Sequence, residues 1–222
     1  MKTATRRQQL AGPRIRKPRG QGHERREEIL KAARELFIRE GYERVTTRKL
    51  AEHVGISQTS LYVYFKNKEE ILDALCAATF RGLIERTRRV ATEGGDLRER
   101  FRRHVETYID FGLAHPDEYL LTFMVPSSAA KFTKRKDLKK PFAEQGPGVQ
   151  SYLLLREQVG SMIENGSFRH MDVSLATDTL WASLHGVVSL LIARPGFVNS
   201  ERKALVRSLT DILLSGFEPR SR

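Results

Sequence analysis

The sequence predicts an all-α protein: an N-terminal three-helix helix-turn-helix domain followed by a larger C-terminal helical domain. Three observations carry this. Apolar residues recur at helical spacing in segment after segment, no β signal of comparable length appears, and there is no internal repeat. Between Thr46 and Leu72 a helix, a tight turn, a second helix and a newly capped third follow one another without slack. The two excesses of positive charge fall in segments rich in Pro and Gly or in Lys, outside the periodic stretches.

Residues 1–22 hold Lys2, Arg6, Arg7, Arg14, Arg16, Lys17 and Arg19 with no acid, interleaved with Gly12, Pro13, Pro18, Gly20 and Gly22. No period is sustained there, so the segment reads as a disordered basic arm. It carries +7 of the net +12, and residues 131–140, with six bases against Asp137, carry the other +5. A polyanionic partner is the natural inference for so many uncompensated bases in one short segment.

The first helix is predicted from His23 to Arg39, with Ile29, Ala33, Leu36 and Phe37 as its apolar stripe and Gly41 as its stop. Tyr42 and Val45 should cover the small core. Leu50 and Val54 lie four apart on one face of the next helix, and Gly55 ends it in a conformation glycine adopts without penalty. Ser57 should then cap a further helix by accepting from the Ser60 amide, which puts Gln58, Thr59 and Ser60 in its first turn and Leu61 toward the core. This is the geometry in which a second helix presents its N-terminal residues to base edges in the major groove. Gln58 is the best reader, since a side-chain amide can bond adenine through two atoms, and the Thr59 methyl suits a thymine methyl. Tyr62, Tyr64, Lys66 and Lys68, expected along the far end of the same helix, offer hydroxyls and ammonium groups to the phosphate backbone. The domain is expected to span residues 23–68.

Asn67, with Glu70 three residues on, should form a capping box for a fourth helix running to about Ala91. Beyond the turn at Glu93 to Asp96, helices are expected from Leu97 to before Pro116, and over Tyr119–Val125, Val149–Glu164, Leu175–Ala193 and Glu201–Ser215, within a domain of residues 69–222. Residues 127–148 read either as a long loop or as short helical pieces. Leu205, Leu209, Ile212, Leu213 and Gly216 form one stripe on the last helix, and Trp181, Leu184, Val188, Leu191 and Ile192 form another on the helix before it. That is more apolar surface than one small core needs, and it predicts a homodimer through a four-helix interface. Twofold symmetry then calls for a roughly palindromic double-stranded operator.

Enzymatic constellations are absent from the sequence: no Gly-x-Ser-x-Gly elbow, no phosphate-binding glycine loop, no His-Glu-x-x-His and no convincing carboxylate pair. Cys76 is the single cysteine, which excludes an internal disulfide and a multi-cysteine metal site and reads as a buried structural thiol. No metal or cofactor is expected. No apolar run approaches the roughly 20 residues of a membrane span, and the basic N-terminus lacks a signal's apolar core, so a cytoplasmic location is expected. Phe101, Tyr108, Phe111, Phe123, Met124, Met162 and Trp181 can line an apolar cavity or simply fill a core, and His104 and His185 read as satisfied core histidines.

The block from Ile29 to Leu75, and above all its LYVYFKNKEEIL run, resembles the DNA-binding domain of the TetR family of transcriptional regulators. WASLHG from Trp181 and HPDEYLLTF from His115 resemble a group of that family's C-terminal domains with a Trp, His, Gly signature. The resemblance implies phosphate contacts from Thr47 and Arg48, base contacts from Gln58, Thr59 and Ser60, and backbone contacts from Tyr62, Tyr64 and Lys68. Tyr64 departs from many members, which carry His there. A dimeric regulator, usually a repressor, is implied, with a small apolar or amphipathic ligand in the C-terminal helices. Phe101, His104, Tyr108, Phe111, Phe123, Met124, Met162, Trp181 and His185 are its candidate contacts. Two other readings stand beside this one: a sequence-independent architectural nucleic-acid binder driven by the arm, and an enzyme whose helix-turn-helix is incidental.

Overall fold

The computed structural model describes residues 22–125 and 141–219. The basic arm (apart from Gly22) and the basic run at 131–140 lie outside them, so the expectations placed there are not addressed by the structure. Among the described residues there is no strand; the helices are α1 (Gly22–Glu40), α2 (Thr47–Val54), α3 (Gln58–Tyr62), α4 (Lys68–Thr92), α5 (Leu97–Ala114), α6 (Pro116–Phe123), α7 (Pro147–Glu164), α8 (Val173–Ala193) and α9 (Arg202–Phe217). The chain divides into two compact units between Ile71 and Leu72.

In the first unit α1 buries Ile29, Leu30, Ala32, Ala33, Leu36 and Phe37, against which α2 brings Leu50 and Ala51, and α3 brings Leu61. Tyr42, Val45 and Phe65 close this core, with the Tyr42 ring edge-on to Phe37. Gly55 takes φ 77° as C-cap of α2, and the Ile56 amide bonds back to the Ala51 carbonyl at 2.9 Å, which turns the chain sharply into α3. The Ser57 hydroxyl accepts from the Ser60 amide at 3.0 Å, as the sequence predicts.

Two local expectations change. α3 is only five residues long, so Tyr64 and Lys66 follow it in a turn, and Lys68 opens the next helix. The amides of Tyr64 and Phe65 both bond to the Leu61 carbonyl, and this tightening lets Phe65 reach the core at the cost of further helix. The capping box at α4 is displaced: Asn67 Oδ1 accepts from the Glu70 amide at 2.8 Å, but the Glu70 carboxylate takes the Lys66 amide, at 2.6 Å, rather than that of Asn67.

In the second unit α5 packs on α6, α8 and α9, and α7 packs on α8. Val105, Ile109, Tyr119, Val159, Ala176, Leu180, Leu184 and Val188 are central to its core. Gly112 is where α5 comes closest to its neighbours, since a Cβ there would stand 2.5 Å from Val188 Cγ1 and 3.1 Å from the Tyr119 ring. Three of these helices, α6, α7 and α8, start earlier than predicted because caps and prolines act upstream of the apolar periods. Pro116 and Pro147 open α6 and α7, and Asp172 caps α8 by accepting from the Leu175 amide. Of the stretch 127–148 the described part is a 3₁₀ turn at Phe142–Glu144 and the first turn of α7.

The expectation that no apolar run approaches a membrane span needs correction. The 21 residues of α8 are long and apolar enough by length and composition to cross one. Here the helix turns Ala176, Thr177, Leu180, Leu184 and Val188 into the unit's own core. Cys76 is half-buried; desolvation pushes its thiol up to about 11, in keeping with a structural thiol.

Candidate nucleic-acid interface and an interior cavity

The first unit exposes Gln58, Thr59 and Ser60 on the N-terminal turn of α3, beside Tyr62 and the start of α2. Gln58 Nε2 donates to Thr47 Oγ1 at 3.0 Å and to the Tyr62 hydroxyl at 3.2 Å, and those two hydroxyls are themselves 3.3 Å apart. The amide that the sequence marks as the reader is therefore held in a three-membered cluster spanning α2 and α3. These two bonds lower the acidity barrier of the exposed Tyr62 phenol, the Thr47 contact contributing most and drawing its pKa down. With Nε2 turned inward, Oε1 is the atom left to meet a base donor such as adenine N6 or cytosine N4. A two-atom contact with adenine requires the cluster to open.

Around this edge the other expected residues take different positions. Arg48 is exposed and paired with Glu52 at 3.0 Å, and Lys66 is exposed. Tyr64 is half-buried. The Lys68 ammonium donates to the Tyr42 carbonyl at 2.9 Å and stands 4.1 Å from the Tyr42 ring centroid, so it fastens the base of α4 to the domain's own core. Ser60 Oγ lies 2.7 Å from Ser57 Oγ and shares in the cap. Sequence reasoning passed over Val63, whose side chain is 78 % exposed directly after α3.

The second unit contains a partly open cavity of about 600 Å³ lined by α4, α5, α6, α7 and α8. Of the nine candidate ligand residues, His104, Tyr108, Phe123 and Trp181 are on its wall, joined by Phe80, Leu83, Thr87, Tyr152, Leu155, Asp172, Asp178 and others that the sequence did not single out. Phe101, Phe111 and Met162 are buried in the core, Met124 is exposed, and His185 stands behind the wall. The signal for Asp178 was available: it lies three residues before Trp181 on α8, hence on the same face.

Behind the wall the Tyr119 hydroxyl is 2.6 Å from His185 Nδ1 and 3.2 Å from the Tyr108 hydroxyl. His185 is thus satisfied as expected, and burial lowers its pKa while raising those of Tyr108 and Tyr119. His104 is not satisfied. It is 6 % exposed, its Nδ1 has no hydrogen-bond partner, and desolvation lowers its pKa to about 4, so the imidazole is neutral at neutral pH. A histidine on an aromatic and aliphatic helix face finds no donor or acceptor there, which is why the sequence expectation fails.

On the candidate dimer helices, Leu213 is buried in its own core, Leu191, Leu205 and Leu209 are half-buried, and Ile212 is 66 % exposed. Among the described residues no cluster of three or more His, Cys, Asp or Glu suited to a metal is present.

The profile described as "Bacterial regulatory proteins, tetR family" matches residues 29–75, and "Tetracyclin repressor-like, C-terminal domain" matches residues 101–213. The nucleoid occlusion factor SlmA of Vibrio vulnificus is 38 % identical over 93 residues, 41 % of this chain and 47 % of that protein, so the matched segment spans about half the length of that relative. The HTH-type transcriptional repressor KstR2 of Rhodococcus jostii is 29 % identical over 168 residues, covering 72 % of this chain and 78 % of its own. The fatty acid degradation regulator FadR of Bacillus halodurans has the same fold, with a TM-score of 0.69 at 22 % identity over 92 % of this chain and all of that one. With the second profile covering half of the chain and the first its helix-turn-helix, the chain belongs to the TetR family of bacterial regulatory proteins.

Proposed function

We propose that the protein is a sequence-specific, homodimeric DNA-binding transcriptional regulator, a cytoplasmic repressor released from its operator by a small apolar or amphipathic ligand. The observation that carries this is the edge formed by Thr47, Gln58, Thr59 and Tyr62, exposed at the N-terminal turn of a helix that a glycine turn and a serine cap hold against α2. Phosphate contacts from Arg48, Tyr64 and Lys66 would set its register, and the base edges would be read through Gln58 and Thr59. The names of relatives such as KstR2 favour repression.

Dimerisation is supported by α8, of whose apolar window only 28 % is buried, and by Ile212 and its half-buried neighbours on α9. Such a surface is stable in water when a second copy covers it. Release is supported by α4, a single helix that begins at Lys68 in the first unit and carries Phe80, Leu83 and Thr87 of the cavity wall in the second. A ligand that shifts those three side chains displaces a helix that is stiff along its length.

Selection of bound fragments from genomic DNA tests the proposal, with recovery of one roughly palindromic motif as the expected result. Linkage then makes the ligand measurable: a compound that weakens operator binding by a coupling of about 1–3 kcal/mol must bind the DNA complex more weakly by the same factor. A second reading, sequence-independent binding driven by the seven bases of the arm, is favoured by their concentration next to the DNA-reading unit. Recovery of unrelated fragments with no shared motif would support it instead.

A further inference from the structure

We infer that Gln58 reads a base carrying an exocyclic amine, adenine or cytosine, through a single hydrogen bond, with Thr47 and Tyr62 as the positioning residues that set the direction of its amide. This rests on the DNA-reading function proposed above and deepens it to the chemistry of one operator position.

The amide is held from both helices. Gln58 and Tyr62 lie four apart on α3, hence on one face, and Thr47 is the first residue of α2. Nε2 donates to Thr47 Oγ1 at 3.0 Å and to the Tyr62 hydroxyl at 3.2 Å, so its two hydrogens already have two acceptors. Neither hydroxyl is drawn off to a helix cap: Thr46 caps α2 by accepting from the Lys49 amide, and Ser57 caps α3. Oε1, on an exposed side chain, accepts from no group among the described residues.

The opposite direction, with Oε1 turned inward, suits a DNA-facing edge poorly. Each hydroxyl would then give its one hydrogen to the amide. Phosphate oxygens only accept, so neither hydroxyl could bond the backbone that a duplex brings beside α3. With Nε2 inward both oxygens accept from the amide instead. Even where the two hydroxyls bond each other across 3.3 Å, one hydrogen remains for phosphate.

An outward carbonyl oxygen has a defined set of partners in the major groove. Adenine N6 and cytosine N4 are the donors there, whereas guanine offers O6 and N7, and thymine O4, all acceptors. Opposite guanine or thymine the Oε1 lone pairs meet lone pairs. Opposite adenine the amide bonds N6 and leaves N7 unbonded, because both of its hydrogens are engaged. The cluster is assembled before DNA arrives, which favours one bond made in place over two that require it to break.

Base analogues in a selected operator, titrated by anisotropy with the full-length protein, test this. The position is the base pair whose substitution no longer matters in Gln58→Ala. Adenine and cytosine on one strand there should bind within about threefold of each other, and guanine and thymine on that strand about tenfold or more weaker, roughly 1.4 kcal/mol. 7-Deazaadenine, which lacks N7, should match adenine, and unsubstituted purine, which lacks the N6 amine, should fall to the level of guanine. In Thr47→Val/Tyr62→Phe the released amide can turn to bond N6 and N7 together, so 7-deazaadenine should now cost about fivefold or more. A 7-deazaadenine operator bound as well as adenine by that variant would strip Thr47 and Tyr62 of the positioning role and overturn the inference. A tenfold loss with 7-deazaadenine in the wild type, a preference for guanine or thymine, or the lack of any position that depends on Gln58 would overturn it as well. Each of these leaves the DNA-reading function standing, since a shared motif has been recovered. Recovery of no motif would remove that function and the inference with it.

Discussion

Tyr62→Phe keeps the ring of Tyr62 and removes only the oxygen that lies 3.2 Å from Gln58 Nε2 and 3.3 Å from Thr47 Oγ1. If that oxygen serves only the phosphate backbone, the loss of affinity is the same on every DNA. If it also orients Gln58, the loss is concentrated on the selected site. An uncharged hydrogen bond contributes about 0.5–1.5 kcal/mol net, and the exposure of this cluster places it at the lower end. A released Gln side chain must moreover be ordered again on binding, at a cost of up to about 2 kcal/mol for full immobilisation. The expected penalty on the selected operator is about 0.5–1 kcal/mol, or two- to fivefold, with little change on random DNA. Anisotropy titrations of wild type, Tyr62→Phe, Gln58→Ala and the double variant close a cycle. A coupling of about 0.5–1 kcal/mol on the operator is expected. Strict additivity, with equal losses on both DNAs, would refute the orienting role and return Tyr62 to the backbone.

Ile212→Arg should convert the dimer to monomers in sedimentation while leaving the melting of the monomer unchanged within about 0.5 kcal/mol, because Ile212 is 66 % exposed. Leu209→Arg should cost stability as well, since Leu209 also packs on its own core; a dimeric Ile212→Arg would exclude α9 from the interface. His104 makes stability depend on pH: its folded pKa, about 4, lies below the ordinary 6.5, so the unfolded chain binds the extra proton. Stability is full above about pH 6.5 and falls as pH drops toward 4, by up to about 3 kcal/mol, and His104→Leu should flatten that slope in urea titrations. Deletion of residues 1–21 should flatten log affinity against log salt, since up to seven cationic side chains no longer release counterions; an unchanged slope would mean that the arm does not reach DNA.

What the sequence disclosed follows from how local each determinant is. The Gly55 turn, the Ser57 cap and the buried stripe of Ile29, Ala33, Leu36 and Phe37 depend on neighbours within a few residues, and each takes its expected form. The short α3 was not legible, because the competition between another helical turn and burial of Phe65 is decided by the α1 core. Nor was the inward bond of Gln58, which depends on Thr47, eleven residues earlier on another helix. In the second unit helical spacing correctly marked Phe101 and Met162 as apolar, but periodicity does not separate a residue that fills the core from one, such as Trp181, that borders empty space. The unpartnered His104 belongs to the same class: its lack of a partner is a property of four helices together.

The central claim, that this edge reads base sequence, is tested most directly by equilibrium binding to a selected palindromic site and to a scrambled duplex of the same composition, at several salt concentrations. The account predicts the selected site tighter by a factor of about 10³ or more at physiological salt, parallel salt slopes on the two duplexes, and a ratio that collapses in Gln58→Ala. Equal affinity for the two duplexes, with the whole of binding carried by the salt-dependent part, would contradict it.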